Sequence, residues 1–347
     1  MIAPRSYPVP ALLLGSSTPG CLARLRAVRT RVLNDKPPGL PTGLRAFDEH
    51  LGGLQQGVHL LAAAPCMGKT TLALQIARNV ASNGASVVYL AFDEDGDRLA
   101  LKLTAGYGGL AAADYLKGKA DPDDLLKVEE AHRAALARIR IYNGPADIHG
   151  DAAGEMLNEA RSVSGTEDCL LVVDFLQSWA ARMSDMVDFR LAVAHLVGQL
   201  REVAINYRVP VLAIVAQNRS GQGEDSMTLL RESSDLEYTA DSLCFLTDEG
   251  QTEDSQARRQ VALTCLKNRW GASFSQRLIF DAERGVFAEG RSPLFGEVDA
   301  RQRAEPGELN VVFDDSLGVA RRQHALLDHE SLPLRPAAGR SPDLAAA

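Results

Sequence analysis

The sequence predicts an α/β fold: a mostly parallel central sheet with helices on both faces, ending in antiparallel strands. Three observations predict it. Short apolar runs rich in Val, Ile and Leu alternate with helical stretches from about Gly39 to Gly290. The runs are near-continuous, as in strands buried on both faces. The last three follow one another without a long helix between them, as hairpin-joined strands do.

In chain order, residues 1–20 are rich in Pro, Ser and Gly and read as disordered. Residues 21–38 read as a basic linker helix. Leu22, Leu25, Val28 and Val32 recur at helical spacing, Arg24, Arg26, Arg29 and Arg31 take other positions, and Pro37 and Pro38 stop the helix. Such a helix packs on its own domain or docks on a neighbouring subunit. Residues 39–290 form the main domain. Strands are expected at Val58–Ala64, Ser86–Phe92, Ile139–Tyr142, Cys169–Asp174 and Pro210–Ala216. Helices Thr70–Ser82, Asp95–Leu103, Pro122–Ala137, Gly150–Val163 and Asp188–Tyr207 lie among them, and Ser242–Leu246, Gln260–Leu266 and Gln276–Asp281 complete the sheet. Residues 291–347 lose the pattern and read as a weakly structured tail, with a strand at Leu309–Phe313 and a helix at Leu317–Leu327.

The chain has 347 residues, 46% hydrophobic and 24% charged, which excludes disordered and collagen-like classes. Its net charge of -8 argues against coating duplex DNA by bulk charge, though not against a local basic channel. The five cysteines are scattered without a C-x-x-C pair, unlike a disulfide scaffold or zinc site, and Cys169, Cys244 and Cys265 sit in apolar runs as core residues. No signal segment or membrane-length apolar stretch is present, so a cytoplasmic protein is expected.

Ala64-Pro65-Cys66-Met67-Gly68-Lys69-Thr70-Thr71 lies between an expected strand and an expected helix. That is the setting of a phosphate-binding loop. Backbone N–H groups and the helix N-terminus wrap the phosphates, Lys69 reaches the β/γ oxygens and Thr70 ligates Mg²⁺. Ala63 stands where such loops usually begin with glycine. Cys169–Asp174 is an apolar strand ending in a carboxylate suited to Mg²⁺ or its water, and Asp93 and Glu94 end another strand. In an open parallel sheet these strand ends share one crevice, where a carboxylate can deprotonate an attacking water.

Together these residues resemble the C-terminal ATPase domain of DnaB-type replicative helicases, a RecA-like P-loop NTPase of superfamily 4. The loop resembles that family's A-R-P-S-M-G-K-T-T, including the absent first glycine. Val173-Asp174-Phe175-Leu176-Gln177 resembles I-D-Y-L-Q. Asn218-Arg219-Ser220 with Leu230-Arg231-Glu232-Ser233 resembles N-R-S…L-R-E-S, and Lys267-Asn268-Arg269 with Gly271 resembles K-Q-R-N-G. The four blocks keep the family's order.

The resemblance implies a hexameric homo-oligomeric ring that hydrolyses ATP with Mg²⁺ and acts on single-stranded DNA. Asp174 is then the metal-side carboxylate, and Asp93, with Glu94 beside it ranked lower, the catalytic base. Lys267 and Arg269 reach the γ-phosphate held by the adjacent subunit. Arg231, Glu232 and Ser234 line the DNA channel, with Ser234 replacing the family's glycine, and Gln217 stands one position from its sensor glutamine. The family's globular N-terminal domain has no counterpart in the roughly 38 residues before the motor, so the chain reads as a motor domain with tails. The alternative is a RadA/KaiC-like regulatory or DNA-repair ATPase without processive unwinding; a nucleotide-binding scaffold without hydrolysis is a third reading.

Overall fold

The computed structural model describes residues 18–144, 150–183, 189–217, 239–252 and 255–289. Among these a nine-stranded sheet has the order β3-β2-β4-β5-β1-β6-β7-β8-β9. Six strands run parallel: β1 (Gly57–Ala63), β2 (Ser86–Ala91), β3 (Ile139–Asn143), β4 (Cys169–Asp174), β5 (Pro210–Ala216) and β6 (Ser242–Thr252). β7 (Ser255–Asn268), β8 (Phe274–Asp281) and β9 (Val286–Glu289) extend it antiparallel. The expected α/β class and the antiparallel finish are both present.

Because successive side chains alternate across the sheet, each apolar strand feeds two cores. On one face Leu61, Ala63, Val87, Tyr89, Leu170 and Val172 pack against α3 (Lys69–Ser82) and α4 (Gly96–Gly108). On the other, Leu60, Ala62, Val88, Leu90, Leu171 and Val173 pack against α7 (Gly150–Ser164), α8 (Leu176–Ala180) and α9 (Phe189–Asn206). The three core cysteines are buried as expected.

The structure departs from the expectation where apolarity and pairing part company. β6 and β7 continue as a ladder through Asp248, Gly250 and Gln251, beyond the apolar runs. Backbone pairing alone carries them past the core. The short helices α2 (Arg45–Leu51), α5 (Ala112–Leu116) and α8, and strand β9, are too brief to show a period. α6 (Pro122–Leu136) is as expected, with Asp121 accepting from Asp123 N.

The basic helix is α1 (Thr18–Leu33). Leu22, Leu25, Val32 and Leu33 are exposed, so most of its apolar stripe does not pack on this domain. Its end is tied down by Arg31, which pairs with Asp168 at 2.6 Å and donates to the carbonyls of Pro37 and Gly39. The expected segments within 1–17 and 290–347 lie outside the described residues. No helix among the described residues is long and apolar enough to cross a membrane.

Candidate active site

The predicted phosphate loop joins β1 to α3. Gly68 precedes α3 at φ +83°, and no side chain caps the helix. The first-turn N–H groups are therefore left for an anion. A Cβ at Gly68 would lie 2.8 Å from Phe287 Cζ and 2.9 Å from Phe280 Cζ. Glycine is required twice over, by the left-handed backbone and by the rings against it. Those rings stack at 4.5 Å, and Arg259 lies over Phe280 while its Nη2 donates to Cys66 O at 3.0 Å. The C-terminal strands thus support the loop.

Lys69 Nζ donates to the carbonyls of Ala63 and Ala64 at 2.9 and 2.8 Å. Burial lowers its pKa, while the nearby Asp174 and Cys66 oppose that shift. Asp174 ends β4 and is 3% exposed. Its Oδ2 accepts from the Tyr89 hydroxyl at 2.7 Å, whereas Oδ1 is buried without a hydrogen-bond partner. Burial raises the Asp174 pKa, Asp93 and Glu94 add to the rise, and the Tyr89 and Thr70 hydroxyls oppose it. A buried carboxylate oxygen with no protein donor, close to a threonine hydroxyl, suits a hard divalent cation or its bound water.

Asp93 and Glu94 follow β2 and, with Asp95 and Arg98, line an open cleft of about 570 Å³. They are not equivalent. Glu94 is paired with Lys102 at 2.6 Å, while Asp93 Oδ1 accepts only a long contact from Ser178 Oγ at 3.5 Å. Gln217 follows β5, and its backbone N donates to Ala63 O at 3.0 Å, which places it beside the start of the loop. The loop residues, Asp93, Glu94, Asp174 and Gln217 therefore gather at the carboxyl ends of the parallel strands.

Lys267 and Arg269 lie elsewhere. β7 runs antiparallel to β6, so its end returns to the amino ends of the parallel strands. Lys267 is level with Leu243, and Leu243 with Leu60. Arg269 N donates to Asp241 O, and Asp241 N to Val58 O. Along the strand Ala64 lies about 20 Å from Val58, the level of Arg269, and about 13 Å from Leu60, the level of Lys267, and β7 lies two strands, roughly 10 Å, to the side. Neither side chain spans that gap to its own Lys69. Arg231, Glu232 and Ser234 lie outside the described residues.

Sequence reasoning overlooked Tyr89, Asp241, Arg259, Phe280 and Phe287. Of these only Tyr89 left a signal: a phenol inside an otherwise aliphatic strand has to find a buried partner. The others act through pairings distant in sequence.

The model of the DnaB-like helicase C-terminal domain matches residues 39–289. The chain belongs to this family. Among its relatives, replicative DNA helicase DnaB of Geobacillus stearothermophilus is 27% identical over 257 residues, covering 72% of this chain and 56% of that protein. DnaB of Buchnera aphidicola subsp. Schizaphis graminum is 28% identical over 272 residues, covering 76% and 58%. The chain thus spans little more than half the length of these curated relatives. An isolated ATPase domain of known structure superposes with TM-score 0.67 at 21% identity, over 80% of this chain and all of that domain. A DnaB-like replicative helicase studied with primase superposes at 0.63, also at 21% identity, over 79% of this chain and 67% of that one. The fold is the RecA-like one of these domains, and nucleotide binding is the family's shared property.

Proposed function

We propose that the chain is the ATP-hydrolysing motor of a ring-forming, hexameric helicase on single-stranded DNA, with each catalytic site completed by the next subunit. The observation that carries this reading is the separation just described. The phosphate loop lies at the carboxyl ends of the parallel strands, and the cationic pair Lys267 and Arg269 lies towards their amino ends. A ring of identical chains brings one subunit's pair to its neighbour's loop.

In this reading the amides of the 64–71 loop and Lys69 bind the β- and γ-phosphates. Thr70 and Asp174 hold Mg²⁺, which when bound neutralises phosphate charge. Asp93 orients the attacking water and takes its proton, since Glu94 is engaged with Lys102. Lys267 and Arg269 from the neighbour stabilise charge on the transferring phosphoryl group, so hydrolysis waits on assembly. Gln217, bonded to the start of the loop, reports its state towards the 218–238 segment, where Arg231, Glu232 and Ser234 meet the DNA backbone. The proposed setting is the cytoplasm.

The test is ATP turnover with and without single-stranded DNA, alongside the mass of the assembled particle. Lys69→Ala abolishes turnover. Arg269→Ala mixed with Lys69→Ala restores part of it, because an intact loop can then face an intact cation. No restoration would show a site contained in one subunit. Arg231→Ala weakens single-strand binding and flattens its salt dependence. Unchanged DNA affinity, with turnover indifferent to DNA, would favour the regulatory ATPase instead.

A further inference from the structure

Resting on that reading, we infer that Asp241 is the positioning residue for Arg269, fixing the guanidinium that one subunit presents to the next. Asp241 precedes β6 and its side chain is 9% exposed. Its Oδ2 accepts from Val58 N at 2.9 Å, and its own N donates to Val58 O at 2.7 Å. A Cβ on Gly57 would stand 2.3 Å from that Oδ2, so the carboxylate occupies space that only glycine leaves. It is therefore held rigidly by contacts independent of Arg269.

Asp241 then grips Arg269 twice. Its carbonyl accepts from Arg269 N at 3.0 Å, and its Oδ1 pairs with Arg269 Nη1 at 2.9 Å. The residues on either side of Arg269 are fixed as well. Asn268 donates to the carbonyls of His50 and Ala272, and Trp270 stacks on the buried His59 at 5.2 Å. Arg201 of α9 joins the same carboxylate at 3.4 Å and donates to Thr239 O at 3.0 Å. One buried carboxylate thus serves two guanidiniums.

This arrangement is more than the Val58 N–H requires, since a neutral amide oxygen would also accept that bond, though less strongly. The charge of Asp241 answers the arginines. A guanidinium has five N–H donors in a rigid fork, so anchoring one nitrogen fixes the direction of the rest. The Arg269 side chain is 44% exposed, so it remains accessible to a neighbour. Misplacing such a group by about 1 Å costs up to roughly a hundredfold in rate.

The experiment uses Asp241→Asn in the full chain, which keeps an acceptor for Val58 N and removes the charge. Its kcat is expected to fall about tenfold, with the KM for ATP within about twofold because the loop is untouched. Adding Asp241→Asn to Arg269→Ala should lower kcat no further, since the effect of Asp241 on turnover runs through Arg269, whereas its contacts with Arg201 and Val58 bear on stability. Mixed with Lys69→Ala, Asp241→Asn should regain activity, because its own loop is intact and only the cation it presents is at fault. A general folding defect would multiply with Arg269→Ala and would not be rescued. Asp241→Ser, neutral and smaller, repeats the series if the asparagine variant does not fold. Wild-type kcat, or multiplicative loss, overturns the assignment of Asp241. Failure of Arg269→Ala itself to complement Lys69→Ala overturns instead the reading on which it rests.

Discussion

His59 gives a stability prediction whose size follows from its surroundings. The ring is buried on β1 with both nitrogens engaged, Nε2 with Gln55 O and Nδ1 with Ser242 Oγ, each at 2.8 Å. A carbonyl can only accept, so Nε2 carries the hydrogen and Nδ1 accepts from Ser242. A second proton would force the Ser242 hydroxyl to turn from donor to acceptor and would place a charge in a buried site. Burial accordingly pushes the pKa from 6.5 down to about 4, against smaller opposing effects of Gln55 and Asp241. The unfolded chain takes up the proton near 6.5 and the folded chain does not, so stability falls as pH drops through that window. Between about pH 7.5 and pH 5 the cost from this residue is about 2 kcal/mol. The carboxyls of Asp48 and Asp174 are shifted upward by burial, and their contribution to the pH dependence has the opposite sign. The assay is therefore a difference: urea unfolding of wild type and His59→Gln at both pH values. The glutamine keeps a donor and an acceptor but does not titrate. Wild type should lose about 2 kcal/mol more than the variant on acidification. Equal losses would refute the buried, neutral histidine.

Two further substitutions test the site. Tyr89→Phe removes the 2.7 Å bond to the buried Asp174 carboxylate and should destabilise the nucleotide-free protein by about 1.5–3 kcal/mol in urea melts; an unchanged midpoint would mean Asp174 is not ionised there. Gly68→Ala drives a methyl into Phe280 and Phe287 at a left-handed backbone position, so nucleotide affinity should fall at least about tenfold in a fluorescent-analogue titration.

Much of this fold was legible because β1, β2, β4 and β5 are largely apolar on both faces, and each strand's apolarity stops within a residue or so of its ladder. The phosphate loop was legible because its residues are contiguous and its setting, strand then helix, is local. Asp174 and Asp93 were legible as carboxylates closing apolar runs. What surrounds them was not. Arg259 reaches Cys66 across 193 positions, Tyr89 reaches Asp174 across 85, and Asp241 meets Arg269 only because β6 and β7 form a hairpin. No periodicity encodes such meetings; chain topology makes them. The apolar stripe of α1 marks the opposite limit, since spacing announced a helix but could not say which surface its leucines would meet.

Two glutamines in this molecule act as fragments of backbone. Gln177 Oε1 accepts from Ala216 N while its Nε2 donates to Ala216 O, and Gln75 does the same with Phe287. A primary amide carries the same donor and acceptor as a peptide group, so each side chain prolongs hydrogen bonding where no neighbouring strand supplies it. Hydrolytic loss of ammonia from either would put a carboxylate oxygen against a carbonyl oxygen, turning an attraction into a repulsion without changing shape. A carboxylate at either position would therefore loosen its surroundings locally, at Gln177 beside the Asp174 strand and at Gln75 beneath the phosphate loop.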